Sequence, residues 1–402
     1  MLSGVNVALG VTGSIAAVNV VEIVHELRRR GANVRAVMSD SARGIVHPWS
    51  VEFATDEEVI TEITGGVEHV ALCGREGWAD VLLIAPATAN TVGKIAGAID
   101  DTPVTTCATT ALGADLPVVI APAMHEPMYD HPGVLDAIEC VEEWGVSFVS
   151  PRIEEGKAKI ATTDAIALAS AQAAGPSPLS GERIVVSAGA TAESIDPVRV
   201  LTNRSSGKTG RAVARACYVA GAEVTLIHAL VGPHPVEAGE ECDPATYAEV
   251  ESVESSAELS EAALSAAAKA DAYVSVAAIS DYTIEPEDEK IRSGEDLSLD
   301  LLPSPKVVDA VREANPELPI VGFKTETSGD DEAMVEAARE IADRVGMSFV
   351  VANDASVMGE EETRTLFVGD DVAEHRGTKA EIGEAVASEL AGVLVRENCR
   401  EE

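Results

Sequence analysis

The sequence predicts an α/β protein with two Rossmann-like, doubly wound parallel-sheet domains in tandem. Three observations carry this expectation. Apolar runs of strand length alternate with stretches of helical spacing, as β–α–β units require. The alternation halts at Ala173-Ala174-Gly175-Pro176-Ser177-Pro178-Leu179-Ser180-Gly181, a linker composition, and then restarts. A chain of 402 residues at 46% apolar content has enough apolar surface for two to three cores. The expected domains are 1–176 and 177–402.

In the first domain Val5–Leu9 reads as a strand and Gly10-Val11-Thr12-Gly13-Ser14 as the turn after it. Ile15–Arg30 has helical spacing and ends at Gly31, a C-cap residue. Val34–Met38, Val81–Ala85, Val118–Ala121 and Ser147–Val149 are the following strands. Beyond the linker come strand Ile184–Ser187, a Gly-rich turn, a helix from Thr209 to Ala220 capped by Gly221, and strand Val224–Ile227.

The formal charge is −39, and only nine of 29 basic residues are lysine. This balance reads as a surface dressed in carboxylates for a salt-rich cytoplasm; the other reading is a protein for basic partners. Either way such a surface repels phosphodiester backbones, so nucleic-acid binding is disfavoured. Six scattered cysteines without a C-x-x-C pair argue against zinc and against a disulfide framework, and fit a reducing cytosol. No signal-peptide pattern opens the chain and apolar runs are strand-sized, so the expectation is a cytoplasmic protein outside the membrane. Glu237–Glu261 holds nine acids and no Lys or Arg, a pattern of solvated loop and helix face.

Anion chemistry is written into the second domain. Asp196-Pro197-Val198-Arg199 and Asn203-Arg204-Ser205-Ser206-Gly207-Lys208-Thr209-Gly210 lie between a strand and a helix. Unpaired N–H groups at a helix start, with a lysine beside them, form an anion pocket. A Walker A loop would need glycine at 202, where Thr stands. In the first domain Gly10, Gly13 and Ser14 read either as a phosphate turn or as a plain tight turn, since G-x-G-x-x-G is absent. Pro86-Ala87-Thr88-Ala89-Asn90, Pro122-Ala123-Met124-His125-Glu126-Pro127-Met128 and Ser39 all follow strand ends, where α/β ligand sites form. His69 reads as a structural histidine or as a base near neutral pH.

Together Gly10-x-x-Gly13-Ser14-Ile15-Ala16-Ala17, His69, Ala85–Asn90 and Pro122-Ala123-Met124-x-x-x-Met128 resemble the flavin-dependent cysteine decarboxylases. The second half resembles their fusion partner through several stretches. These are Gly189-Ala190-Thr191-x-Glu193-x-x-Asp196-Pro197-Val198-Arg199, Asn203–Lys208, Ala277–Tyr282, Lys290-Ile291-Arg292, Pro305–Val308, Gly322-Phe323 with Glu326-Thr327, and Ala352-Asn353-Asp354. The chain thus resembles the bifunctional phosphopantothenoylcysteine decarboxylase / phosphopantothenate–cysteine ligase family of coenzyme A synthesis.

For the first half the resemblance implies FMN, held at Gly13, Ser14, Ser39, Ala87, Thr88 and Asn90. In that family the cysteinyl thiol is oxidised to a thioaldehyde, the adjacent carboxylate leaves, and the enethiol is reduced. His69 matches the essential histidine, and Met128 closes the substrate loop. Two departures stand out. His125 occupies the place of an asparagine that binds the departing carboxylate; an imidazole N–H can still donate there. The flap region Pro151–Ile160 lacks the family's proton-donating cysteine and carries Lys157 and Lys159; Cys73 reads as an inert buried thiol.

For the second half it implies a ligase that activates 4'-phosphopantothenate with CTP and Mg²⁺, then joins it to cysteine. The nucleotide site falls on Ser275, Val276, Ala277, Asp281 and Lys290, and on Ser304, Pro305, Lys306, Val307 and Phe323. Asn203 matches the asparagine that turns over the acyl nucleotide, and Arg199 and Lys208 meet the pantothenate phosphate or a partner subunit. Arg339 and Arg344 stand near the lysines of bacterial relatives, as phosphate ligands or as solvated helix residues. Family members build a homo-oligomer from trimers, up to a dodecamer. Two rival readings are a ligase with an inactive flavin domain and a flavin-binding redox sensor.

Overall fold

The computed structural model describes residues 1–402 except 155–156, 231–244, 293, 295–296, 327–329, 355–361 and 402. The chain forms two compact units, Met1–Pro176 and Ser177–Glu402.

The first unit holds strands β1 (Asn6–Val11), β2 (Asn33–Met38), β3 (Val81–Ala87), β4 (Val118–Pro122), β5 (Met124–His125), β6 (Ser147–Phe148), β7 (Arg152–Glu154) and β8 (Lys157–Lys159). Five of them form a parallel sheet in the order β2-β1-β3-β4-β6, and β5-β8-β7 form a small antiparallel one. All seven residues of β3 are buried, as a central parallel strand covered on both faces demands. The helices are α1 (Val20–Arg29), α2 (Asp40–Arg43), α3 (Pro48–Thr55), α4 (Glu68–Cys73), α5 (Ala89–Ala96), α6 (Pro103–Gly113), α7 (Glu126–Tyr129), α8 (Pro132–Glu142) and α9 (Thr163–Ala174).

The single helix expected from Ile15 starts instead as a 3-10 turn, Ile15–Asn19, capped by the Ser14 side chain. Ile15 and Val18 face solvent there, and the buried stripe Val20, Ile23, Val24 and Leu27 begins only with α1. Gly31 follows α1 at φ +96°, a conformation that favours glycine.

The second unit holds β9 (Arg183–Gly189), β10 (Ala192–Ser194), β11 (Val200–Thr202), β12 (Glu223–Ala229), β13 (Glu249–Val253), β14 (Ala272–Ser275), β15 (Tyr282–Thr283), β16 (Leu302–Pro303), β17 (Ile320–Glu326), β18 (Phe349–Asp354), β19 (Glu362–Val368) and β20 (Val372–Thr378). Its helices are α10 (Lys208–Val219), α11 (Ser256–Ala267), α12 (Val307–Ala314), α13 (Asp331–Val345) and α14 (Lys379–Glu401). The main sheet runs β13-β12-β9-β14-β17-β18-β19-β20. Its first six strands are parallel, with the strand order of a dinucleotide-binding fold.

The last two strands correct the expectation of a wholly parallel sheet. β19 and β20 run antiparallel to their neighbours, because the short turn Gly369–Asp371 between them can only reverse the chain. Helix α10 lies close on β9 because Gly210 has no side chain: a methyl there would stand 2.5 Å from Ala188 Cβ. Of the acidic stretch, 237–244 lies outside the described residues, and β13 exposes its first four residues. Among the described residues no helix is long and apolar enough to cross a membrane.

Candidate active sites

In the first unit the strand order reverses between β1 and β3, so the loops leaving these strands splay apart into a crevice. Side chains stitch its walls together. Thr12 Oγ1 donates to the Pro86 carbonyl at 2.8 Å, and Ser14 Oγ to the Ala123 carbonyl at 3.0 Å. The crevice holds a cavity of about 260 Å³ lined by Gly13, Ser39, Thr88, Asn90 and Met128, all expected from sequence. Thr12, Ser41, Thr91, Lys94, Thr102 and Thr105 complete it.

Three lining residues are helix N-caps: Ser39 of α2, Thr88 of α5 and Thr102 of α6. Helix starts aimed at one space favour a ligand carrying negative charge. Gly13 leaves room for it, since a methyl there would lie 2.4 Å from Ser41 Cβ. Lys94 brings a cation, which Asp101 holds at 2.8 Å. Thr102 and Thr105 went unread in the sequence although Thr-Pro-x-Thr is a helix-start signal; they form a reciprocal capping box.

Other expected residues stand apart from the lining. Ser14 is turned to Ala123, and Ala87 is fully buried, its carbonyl taking the Ala123 N–H at 2.9 Å. His69 lies half-buried in the first turn of α4, and its Nδ1 is buried with no hydrogen-bond partner. His125 is exposed on β5, opposite Lys157 of β8. The flap and the substrate loop therefore share one small sheet, although Glu155 and Gly156 lie outside the described residues. Cys73 is fully buried, and the adjacent Cys107 thiol together with burial pushes its own thiol far above the usual range.

In the second unit the order reverses between β9 and β14. Gly189 ends β9 at φ +91°, and Gly207 caps α10 at φ +72°. Lys208 is exposed at the first position of that helix. Asn203 bridges to the other strand end: its Nδ2 donates to the Ala278 carbonyl at 2.7 Å, and its Oδ1 accepts the Ser205 N–H at 3.0 Å. Ser275 is buried at the tip of β14, and Val276 and Ala277 donate their N–H groups to Ser187. Lys306 pairs with Asp281, and the Ser304 N–H donates to the Asp281 carbonyl at 2.9 Å. Ser304 Oγ is buried without a partner beside the start of α12.

Several expected contacts are committed elsewhere. Arg199 turns inward, its guanidinium donating to Asp196 Oδ2 and to the Ile291 carbonyl, both at 2.8 Å. Arg344 is clamped on both oxygens of Asp309, stapling α13 to α12. Val307 packs in the core, 2% exposed. Pro305, Arg339 and Lys290 are exposed, Phe323 is half-buried on β17, and Thr327 lies outside the described residues. Thr191 and Glu193, quoted in the motif without a role, anchor the opposite loop: Thr191 Oγ1 accepts the Ser280 N–H, and Glu193 accepts Thr283 Oγ1, each at 2.8 Å.

Residues 1–174 match the family described as flavoprotein, and 179–394 match the DNA/pantothenate metabolism flavoprotein C-terminal domain. The coenzyme A biosynthesis bifunctional protein CoaBC of Thermococcus kodakarensis is 46% identical over 398 residues, 98% of this chain and 96% of that protein. The chain belongs to the CoaBC family. The CoaBC protein of Methanocaldococcus jannaschii is 33% identical over 395 residues, 97% of this chain and 94% of its own. Among solved structures, the FMN-dependent cysteine decarboxylase SpaF is 35% identical, with a TM-score of 0.39; it covers 44% of this chain and 100% of its own. As a CoaBC protein the chain is a bifunctional enzyme of coenzyme A biosynthesis, a flavoprotein decarboxylase joined to a ligase.

Proposed function

We propose that the second unit forms phosphopantothenoylcysteine through an acyl-cytidylate, and that the first decarboxylates it to 4'-phosphopantetheine with FMN. The observation that carries the ligase reading is the Asn203–Ala278 hydrogen bond. It ties the anion loop before α10 to the strand end where a nucleotide lies in this topology. The buried, unpartnered Ser304 Oγ supports the same reading as a hydroxyl waiting for a ligand atom.

In the ligase step a carboxylate oxygen of phosphopantothenate attacks the α-phosphorus of CTP and pyrophosphate leaves. The cysteine amine then attacks the acyl carbon, CMP departs and the amine loses a proton. Lys290 and Lys208 supply charge toward the phosphates, and the Asn203 amide orients the acyl group for the second attack. Mg²⁺ entering with the nucleotide would offset the charge of its phosphates.

The capped, Gly13-floored cavity suits the phosphate and ribityl chain of FMN, held by Gly13, Ser39, Thr88 and Asn90. Bound there, FMN supplies two-electron oxidation of a thiol and later returns the electrons. His69 takes the thiol proton, and His125 donates to the carboxylate before it leaves as CO₂. The flap strand β8 beside His125 keeps water from the reacting carbons.

Exposed Ile15, Val18, Trp49 and Phe53 support a homo-oligomer built through the first unit, trimer-based as in the family. The acid-rich surface fits a salt-adapted protein of the cytoplasm.

The test supplies the full chain with phosphopantothenate, cysteine, CTP and Mg²⁺ and follows pyrophosphate and CO₂. His69→Asn is expected to stop CO₂ release while the amide still forms. Asn203→Asp is expected to stop amide formation, and with it CO₂ from this mixture, while still releasing CO₂ from supplied phosphopantothenoylcysteine. A His69→Asn chain that makes no amide, an Asn203→Asp chain that releases no CO₂ from supplied phosphopantothenoylcysteine, or wild-type behaviour of either variant overturns the two-site reading.

A further inference from the structure

The motif Thr191-x-Glu193-x-x-Asp196 runs beside residues 278–291 and holds them at successive points. Ala278 donates its N–H to the Gly189 carbonyl at 2.9 Å, and Ser280 to Thr191 Oγ1. Thr283 is held by Glu193, and the Glu287 N–H reaches the Ile195 carbonyl at 3.0 Å. The last rung is the firmest. Asp196 has a fully buried side chain and accepts N–H groups from Val198 at 2.8 Å, Arg199 at 2.9 Å and Ile291 at 3.2 Å. Arg199 grips the carbonyl of the same Ile291. Residue 291 is thus held by both its N–H and its C=O, one peptide beyond Lys290.

Lys290 has an exposed, flexible side chain on a stretch outside any strand or helix. Such a lysine acts on a phosphate only if its backbone is fixed, because ordering a free loop costs conformational entropy. The buried carboxylate of Asp196 supplies that fixation. Three N–H donors and a guanidinium leave Asp196 no lone pair for a substrate, so its role is exerted through the backbone.

We infer that Asp196 is a positioning residue for the ligase, holding Lys290 against the nucleotide phosphates through the Ile291 peptide. The inference rests on the proposed ligase reading and deepens it. It also gives Arg199 a task other than phosphate binding.

A double-mutant cycle on the full chain tests it, with initial rates of pyrophosphate release at varied CTP. Lys290→Met is expected to lower kcat/KM for CTP about 100-fold. In an Asp196→Ala background, already slowed, the same change should cost less than about 3-fold, because the lysine is no longer held in place. Asp196→Asn, whose amide oxygen can still accept the Ile291 N–H, should recover part of the rate. If Asp196→Ala does not fold, the cycle is run with Arg199→Lys, which keeps the carboxylate and loses the fork on Ile291. Full, independent losses in both backgrounds overturn the inference, as does an inert Lys290→Met. A wild-type chain that releases no pyrophosphate instead sinks the ligase reading itself.

Discussion

Gly189 and Gly207 lie against each other at the carboxyl end of β9, so closely that a methyl group on Gly207 would stand 3.0 Å from the Gly189 nitrogen. Gly207 also has φ +72°, where an L side chain costs about 1–2 kcal/mol. Its imagined methyl would meet His228 Nε2 at 2.9 Å as well. Gly207→Ala should therefore destabilise the second unit by that amount and shift the loop that carries Asn203. Displacement of a reacting group by about 1 Å costs about 100-fold in turnover. Amide formation should fall accordingly, while CO₂ release from supplied phosphopantothenoylcysteine stays at the wild-type rate.

Gly13 plays the matching part in the first unit. Any side chain there drives into Ser41, and Thr88 next to it caps α5 while facing the same cavity. Gly13→Ala is expected to yield a folded but colourless protein that does not retain flavin on gel filtration. Thr88→Val should lose the cap, at about 1 kcal/mol, and weaken flavin retention; Thr88→Ser should preserve both. Flavin absorbance after desalting reads each case, and yellow Gly13→Ala protein would contradict the expectation.

The parallel strands were legible because a buried parallel strand must be apolar throughout, as Val81–Ala85 is in the sequence and β3 in the fold. Loops at strand ends were legible for a related reason: Gly, Thr and Asn interrupt the apolar run where the backbone needs caps and turns. The antiparallel β19 and β20 were not, because β20 lies at the sheet edge with exposed and half-buried positions only, and β19 reaches its buried stretch Thr365–Val368 after the half-buried Thr363 and Arg364. Nor does a sequence tell where a guanidinium turns. The resemblance offers Arg199 and Arg344 as phosphate contacts, and in the fold each finds a carboxylate of its own, Asp196 and Asp309. In a chain this acidic, carboxylates compete with any ligand for an arginine.

At the sheet edge Glu374 accepts from Arg364 at 2.7 Å, and Arg364 also forks onto Asp331. Hydrogen bonds from Arg364 and Arg376 hold the Glu374 carboxyl at about 2, against 4.5 for a free glutamate. A carboxyl whose folded value is depressed stabilises the fold above its unfolded value and loses that contribution as pH falls toward its folded value. Glu374→Gln should therefore lower the unfolding midpoint at neutral pH, and the gap should close between pH 4.5 and about 2. Because the group is exposed, molar KCl should shrink the gap too. Thermal unfolding across pH and salt measures both; a gap that grows on acidification would refute the assignment.

The missing flap cysteine raises the question of whether another thiol supplies a proton in the decarboxylase. Cys73 lies one helical turn after His69, which makes it the obvious replacement. Its surroundings argue otherwise. It is fully buried against Cys107, whose thiol and the loss of water both push its own thiol upward. Cys217 in the second unit shows the same effect from burial alone, pushed to about 12. A thiol so shielded neither reaches substrate nor gives up a proton near neutral pH. Cys73→Ala should cost about 1–2 kcal/mol of stability from the lost packing and leave CO₂ release intact. Iodoacetamide at mildly alkaline pH should label the half-buried Cys140 while Cys73, Cys107 and Cys217 stay unmodified until the fold opens. Loss of CO₂ release in folded Cys73→Ala protein would reinstate that thiol as the proton donor.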